Sequence, residues 1–386
     1  MSDRLQRTLQ LLNNLVSFDT TSQESNLALI DYVQDYLSKQ GFDAEVLYNS
    51  QKTKANLVVC IGPRVAGGIL LSGHTDVVPI DGQHWNYPPF SLTLEDERCY
   101  GRGTTDMKGF VACCLAIISE IDPQQLKKPL WLGLSYDEEV GCLGVHELHD
   151  YLAAQPVKPE LCLVGEPTSM RPVNGHKGKV ALRCQVKGKE CHSAYTPQGV
   201  NAIQYAARLI HFILEQEKQL IEKGDLRFDP PFSTLHVGTI SGGEALNIVP
   251  NFCQFDMELR YLPQQSPSEV VDSLKTYAQH QLVPVMREMS ADCDISFKTL
   301  AAYPGLYLDE MTPWLQQLLA WTNFSTAHTV SFGTEGGLYQ ASGITSIICG
   351  PGSMAQGHKP DEYIEKDQLR QCLKLLERII CHLYEK

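Results

Sequence analysis

Four runs of this chain have the composition of β-strands, and each leads straight into residues of metal-ligand type. Ile69–Gly73 ends at His74-Thr75-Asp76. Leu130–Leu134 passes through Ser135-Tyr136 into Asp137-Glu138-Glu139. Leu161–Gly165 ends at Glu166, and Ser346–Cys349 leads through Gly350-Pro351-Gly352 to His358. In open α/β sheets, ligands bind beyond the carboxyl ends of the strands. If these four strands share a sheet, two histidines and several carboxylates meet at one rim. Imidazole and carboxylate are the donors of a catalytic zinc-type ion that keeps one position open for water.

A length of 386 residues exceeds what one ordinary core fills and predicts two domains. The apolar and charged fractions, 43% and 20%, are those of a globular chain. A net charge of −13 argues against nucleic acid or an anionic membrane as the main partner. A small anionic substrate stays compatible, because a bound cation reverses the local field. No apolar run reaches the roughly 18 residues of a membrane helix. The first residues space Leu5, Leu9, Leu12, Leu15 and Val16 helically but lack a signal peptide's apolar block. Thirteen scattered cysteines without a C-x-x-C pair read as reduced thiols, which points to the cytoplasm and away from a cysteine-held zinc.

Strand and helix patterns alternate through the first 170 or so residues, which predicts a sheet covered by helices. Helices are expected over 26–39, stopped by Gly41, and over 107–121, with Asp106 near the N-terminus. Beyond residue 176 the pattern becomes strand 180–186, helix 202–214, strands 234–240 and 252–261, helix 267–281 and strand 293–300. That order, β-α-β-β-α-β, is that of a ferredoxin-like unit. It predicts an insert at 177–299 within a domain made of 1–176 and 300–386. The insertion would let His358 lie far along the chain yet close to His74.

Taken singly, each candidate has an ordinary alternative. His74 and His358 read equally as loop histidines, Asp106 as a helix N-cap, Glu138-Glu139 as a solvated acidic turn and Glu166 as a loop acid before Pro167. Asp76, two residues beyond His74, is placed to accept the second ring N–H of a metal-bound imidazole. Adjacent carboxylates such as Glu138 and Glu139 repel unless cations or water neutralise them, so one is a candidate ligand and the other a candidate base. In the insert, His192 within Cys191-His192-Ser193-Ala194-Tyr195, and Asn247 and Arg260, are polar candidates for substrate contact. Arg260 suits a bidentate grip on a carboxylate. The joint placement of the acids and histidines after successive strands is what favours a metal site.

The segments SGHTDVVP, YGRGTTDMKG, SYDEEVG, GEPT, HSAY, GGEALNIVPN and GPGSMAQGHKPDEY, in this order, resemble the family of dizinc amidohydrolases that includes acetylornithine deacetylase, succinyl-diaminopimelate desuccinylase and carboxypeptidase G. The resemblance spans nearly the whole chain. It implies an α/β fold: a mixed-sheet dizinc hydrolase domain with an inserted ferredoxin-like α+β lid that also dimerises. It implies that His74, Asp106 and Glu166 hold one Zn2+ and that Asp106, Glu139 and His358 hold another, with Co2+ or Mn2+ as substitutes. Asp76 would stand behind His74, and Glu138 would be the general base. His192 would reach into the partner subunit's site of a homodimer. Asn247, Arg260 and Thr334 would contact substrate, and Glu335 would meet a substrate ammonium.

Within the family, GRGTTDMKGF, SYDEEVGCLGV and GTEGGLYQ are most like the acetylornithine deacetylase branch. That branch implies hydrolysis of N2-acetyl-L-ornithine to acetate and L-ornithine in arginine biosynthesis. Succinyl-diaminopimelate, another N-acyl amino acid or a dipeptide is the rival substrate. A non-catalytic binding protein is the remote alternative, disfavoured because it has no need of a base at Glu138.

Overall fold

The computed structural model describes residues 2–385. In chain order, the first stretch contains helices α1 (Ser2–Ser17) and α2 (Leu27–Lys39), then strands β1 (Glu45–Tyr48), β2 (Ala55–Ile61), β3 (Ile69–His74), β4 (Thr93–Glu95) and β5 (Arg98–Tyr100). Helix α3 (Lys108–Ile118), β6 (Leu130–Ser135), α4 (Val145–Ala154), β7 (Leu161–Pro167) and β8 (Val173–His176) follow. Next come β9 (Gly178–Lys187), α5 (Ala202–Ile221), β10 (Thr234–Gly242), β11 (Phe252–Tyr261), α6 (Pro267–Tyr277), α7 (Val283–Met289) and β12 (Asp294–Tyr303). The chain ends with β13 (Leu306–Tyr307), α8 (Pro313–Thr322), β14 (His328–Val330), α9 (Gly336–Ala341), β15 (Thr345–Gly350), β16 (Tyr363–Glu365) and α10 (Lys366–Glu385). Among the described residues, no helix is long and apolar enough to cross a membrane.

Two compact units result. One takes the chain up to Gly175, Leu306–Thr329 and the chain from Thr334 on; the other takes His176–Gly305 and Val330–Gly333. The insert was expected to close at 299. It extends further because β12 continues to Tyr303 across a register shift between Thr299 and Ala301, and because the ring of Tyr303 lies where a side chain at Gly333 would stand.

The first unit is built on a nine-stranded mixed sheet in the order β1-β2-β6-β3-β7-β15-β8-β13, with β14 paired to β8. Its centre is parallel: β6 with β3, β3 with β7, and β7 with β15. These central strands are buried on both faces, as their near-continuous apolar sequences require. Because they run the same way, their carboxyl ends emerge at one edge. A Cβ at Gly165 would lie 2.1 Å from the ring of Phe110, so glycine is what lets α3 close on this face. A Cβ at Gly133 would meet Leu148 of α4 on the opposite face. Ser72 is the register partner of Gly133, and His74 that of Ser135. By strand alternation, Ser72, His74 and Ser135 point to the α4 face. A smaller antiparallel sheet, β16-β5-β4, pairs Tyr363 with Tyr100 and brings the segments after β5 and before β16 together.

The second unit is a four-stranded antiparallel sheet in the order β10-β11-β9-β12, as a ferredoxin-like unit requires. On β11, Cys253, Phe255, Met257, Leu259 and Tyr261 alternate inward into a core shared with Leu209 and Ile213 of α5 and Leu274 of α6. Helix α5 extends to Ile221, one stretch beyond the expected 214. Helix α6 continues through a π-turn at Ala278–Leu282 into α7 rather than ending near 281.

Candidate active site

The carboxyl edge of the central strands gathers the expected residues of the first unit. His74 closes β3 and is 1% exposed. Its Nδ1 lies 2.9 Å from the backbone oxygen of Asp76. A carbonyl only accepts, so Nδ1 carries the proton and Nε2 is left as the donor atom facing the acids. Nε2 lies 3.0 Å from Asp106 Oδ1 and 3.7 Å from Glu166 Oε1. The Asp76 carboxylate lies behind His74 with Oδ1 3.5 Å from Nδ1, while the backbone carbonyl makes the shorter contact. The carboxylate also accepts from Glu138 N at 3.1 Å, Glu139 N at 3.2 Å and Ser22 Oγ at 2.7 Å. It therefore folds the acidic turn against the histidine strand, and Asp137 at the start of that turn has φ 56°.

Asp106 does not cap α3: the N-cap position is Met107, without a side-chain cap. Its two oxygens diverge. Oδ1 faces His74, and Oδ2 lies 3.1 Å from His358 Nε2. His358 Nε2 also lies 3.1 Å from Glu139 Oε2. His358 follows β15 in a loop and takes φ 62°, and its side chain is 43% exposed where Asp106 is 4% exposed, so the cluster opens toward solvent on this side. Ligand atoms of His74, Asp106 and Glu139 fall within 4.8 Å of one another, as do those of His74, Glu138 and Glu166. Glu138 Oε1 has the Cys142 thiol 3.5 Å away.

The electrostatics describe a cluster short of positive charge. Burial, then repulsion from Asp106, pushes Glu139 up to about 7. Burial does the same for Glu138 and Glu166, both well above the usual carboxylate range. Contacts to Asp106 and Glu139 raise His358 to about 10. Burial opposes the charged form of His74, yet Asp106 and Asp76 hold its pKa well above the usual imidazole range. Burial opposes ionisation of Asp106, yet the two histidines keep it below the usual range. Three buried carboxylates that hold protons beside an ionised Asp106 fit divalent cations, and the N/O donor set fits a zinc-type ion. The two groups of ligand atoms share His74, and Asp106 faces one histidine with each of its oxygens.

Other candidates lie elsewhere. Thr334 is fully buried, and its Oγ1 accepts from Gly336 N at 3.0 Å at the head of α9. Glu335, expected to face a substrate ammonium, is 1% exposed and lies beneath the rim, with Oε2 3.3 Å from Ser72 Oγ. Tyr339 Oη, from α9, is 3.0 Å from the same hydroxyl. Within the second unit, His192 is exposed and bridges to Ile248, and Ser193 N donates to Asn247 O at 2.9 Å, so these two candidates share one locale. His192 Nδ1 accepts from Ala194 N at 3.1 Å, which leaves Nε2–H as the outward donor of the neutral ring. Arg260 Nε donates to Glu258 Oε1 at 2.9 Å.

The sequence reading missed Ser22, Cys142, Gln83 and the buried Arg102–Glu362 pair, whose charged atoms lie 2.7 Å apart. Arg102 and Glu362 stand inside motifs quoted for other residues, and 260 positions separate them.

A family model described as peptidase family M20/M25/M40 matches residues 70–382. Acetylornithine deacetylase of Myxococcus xanthus is 35% identical over 391 residues, covering 99% of each chain. That of Pasteurella multocida strain Pm70 is 31% identical, covering 96% of this chain and 97% of its own. Among solved structures, the M20 family metallo-carboxypeptidase Sso-CP2 of Sulfolobus solfataricus superposes with a TM-score of 0.76 at 20% identity, covering 98% of this chain and 99% of that one. Motif order, rim geometry and near full-length identity agree, and the chain is an enzyme belonging to peptidase family M20/M25/M40.

Proposed function

We propose that the chain hydrolyses the amide of N2-acetyl-L-ornithine to acetate and L-ornithine as a step of arginine biosynthesis; the support is that its relatives are named acetylornithine deacetylase. The observation that carries an amidohydrolase mechanism is the divergence of the Asp106 carboxylate, one oxygen at His74 and the other at His358. In this reading His74, Asp106 and Glu166 would hold one Zn2+, and Asp106, Glu139 and His358 would hold a second; Co2+ or Mn2+ would suit the same donors. Ions bound there would acidify water and draw charge from the acyl oxygen.

The remaining chemistry belongs to side chains. Glu138, its carboxyl raised by burial, takes a proton from the attacking water and returns it to the departing nitrogen. Asp76 holds the Glu138-Glu139 turn through the two backbone N–H groups. His192, with Nε2–H directed outward, donates to the acyl oxygen as it gains charge. It would serve the site of a second copy in a homodimer formed through the inserted unit. Arg260 would pair with the α-carboxylate and Asn247 with the acyl group. A contact from Thr334 would require its buried hydroxyl to leave Gly336. A cytoplasmic location suits the thirteen cysteines, all free thiols.

Turnover of zinc-loaded protein on N2-acetyl-L-ornithine, beside N-succinyl-diaminopimelate and with a chelated control, tests this. The expected result is a strong preference for acetylornithine, lost on chelation and restored by Zn2+. Activity on the succinyl compound alone would keep the site and overturn the substrate.

A further inference from the structure

The roles above leave out a ring of contacts outside the ligand set. Glu362, 1% exposed, accepts from Thr105 N at 2.9 Å and Asp106 N at 3.1 Å on Oε1, and pairs through Oε2 with Arg102 Nη1 at 2.7 Å. The guanidinium of Arg102, fully buried, passes Nη2 to Gln83 Oε1 at 2.7 Å and lies 4.9 Å from the Trp85 ring. Trp85 Nε1 donates to the same Oε1 at 3.1 Å. Gln83 Nε2 donates to the backbone oxygen of His358 at 3.0 Å. Because His358 and Glu362 stand on one loop, the circuit closes, joining the loops that present Asp106 and His358.

We propose that Gln83, Arg102 and Glu362 form a clasp that positions His358 relative to Asp106 and so governs occupancy of the second metal position, Asp106–Glu139–His358. The proposal rests on the two-metal reading above. The chemistry of Gln83 is decisive. Two obligate donors, Arg102 and Trp85, face its carbonyl oxygen, and one obligate acceptor, the His358 carbonyl, faces its amide nitrogen. Only a carboxamide satisfies all three, and only in this orientation. His358 takes the left-handed conformation, φ 62°, which a β-substituted residue keeps only when its surroundings hold it there. The contact from Gln83 supplies that restraint next to the ligand ring. Gln83 touches the backbone of His358 directly and reaches Asp106 only through Arg102 and Glu362, so its loss should be felt most at the position that His358 serves. It is a positioning residue, and its side chain is half-buried, so the substitutions below leave the core intact.

The test is calorimetric titration of the full-length metal-free protein with Zn2+, with thermal unfolding of the metal-free form alongside. Wild type is expected to take two equivalents. Gln83→Glu sets an acceptor against the His358 carbonyl, and Gln83→Ala removes the contact. Both should bind the first equivalent as wild type does and the second about 10- to 100-fold more weakly, as for other residues that support a ligand from behind. The metal-free unfolding midpoint of Gln83→Glu should stay near wild type, because its carboxylate still accepts from Arg102 and Trp85, whereas Gln83→Ala leaves those donors unpaired and should unfold at a lower temperature; excess Zn2+ should restore turnover in both. Trp85→Phe, which keeps the ring and removes its N–H, should move the second equivalent in the same direction. Unchanged binding of both equivalents in the Gln83 variants, or equal weakening of both, would overturn the clasp. Fewer than two equivalents in wild type would overturn the two-metal reading, and the clasp with it.

Discussion

Glu138 is the residue on which hydrolysis turns, and its surroundings make the prediction sharp. Its backbone is tied to Asp76, its carboxyl is raised by burial, and its Oε1 has the Cys142 thiol at 3.5 Å. Glu138→Gln keeps size and hydrogen bonding but cannot move the proton. It should lower kcat by about 10²- to 10⁴-fold, the usual worth of a positioned general base, with KM nearly unchanged. Two zinc ions per chain should still be found by elemental analysis, since Glu138 lies outside the proposed ligand sets. Near-normal turnover would remove it from the role, and loss of a metal would make it a ligand instead. At this scale the sequence was informative about residue types and poor about partners. His74, Asp106, Glu139, Glu166 and His358 could be picked out because each follows a strand or a glycine-bounded turn. That Asp76 also holds the acidic turn could not be read, because it depends on how the Glu138-Glu139 backbone folds back onto its carboxylate.

The strands explain why so much of the site was legible. β3, β6, β7 and β15 are strands of six or seven residues, each built on a short apolar run that gives way to polar residues, so their ends announce themselves. Elements that lean on tertiary contacts did not. The polar end of α5 and the π-turn after α6 carry no periodic signal, and β12 runs on across a register shift. Glu335 failed for the same reason. It precedes α9, which packs on β15, and that placement turns its side chain under the rim toward Ser72 rather than outward. Burial lifts this carboxyl from 4.5 to about 7. The folded chain therefore holds a proton there that the unfolded chain has released between those values, and stability falls as pH rises through the window. The contribution is at most about 3 kcal/mol, present in full below pH 4.5 and gone above 7. Glu138, Glu139 and Glu166 add slopes of the same sign in the metal-free protein. Urea unfolding of metal-free wild type and Glu335→Gln from pH 5 to 8 should show a shallower decline in the variant. Parallel curves would mean that Glu335 does not hold the proton.

For the whole molecule, the insertion divides the labour. The first unit contains the rim cluster in full, whereas His192 and Asn247 belong to the second. His192 is exposed, with Nδ1 satisfied by its own loop and Nε2 free to donate elsewhere. In the proposed homodimer its recipient is the site of the other subunit, and that arrangement makes a complementation prediction. His192→Ala and Glu138→Ala homodimers should each be nearly inactive, the first by about 10²- to 10³-fold for a lost oxyanion donor. A heterodimer would carry one damaged site and one site in which an intact Glu138 meets an intact His192 from the other chain. Random reassortment of equal amounts should therefore recover about a quarter of wild-type turnover, since half the dimers are mixed and each mixed dimer has one complete site. Recovery should follow the time course of subunit exchange and require both proteins. If the mixture stays as inactive as its parents while mass analysis shows mixed dimers, His192 serves its own chain or no site at all. If no dimers form, the donor must come from within one chain, and Glu138→Ala can never be rescued by a partner.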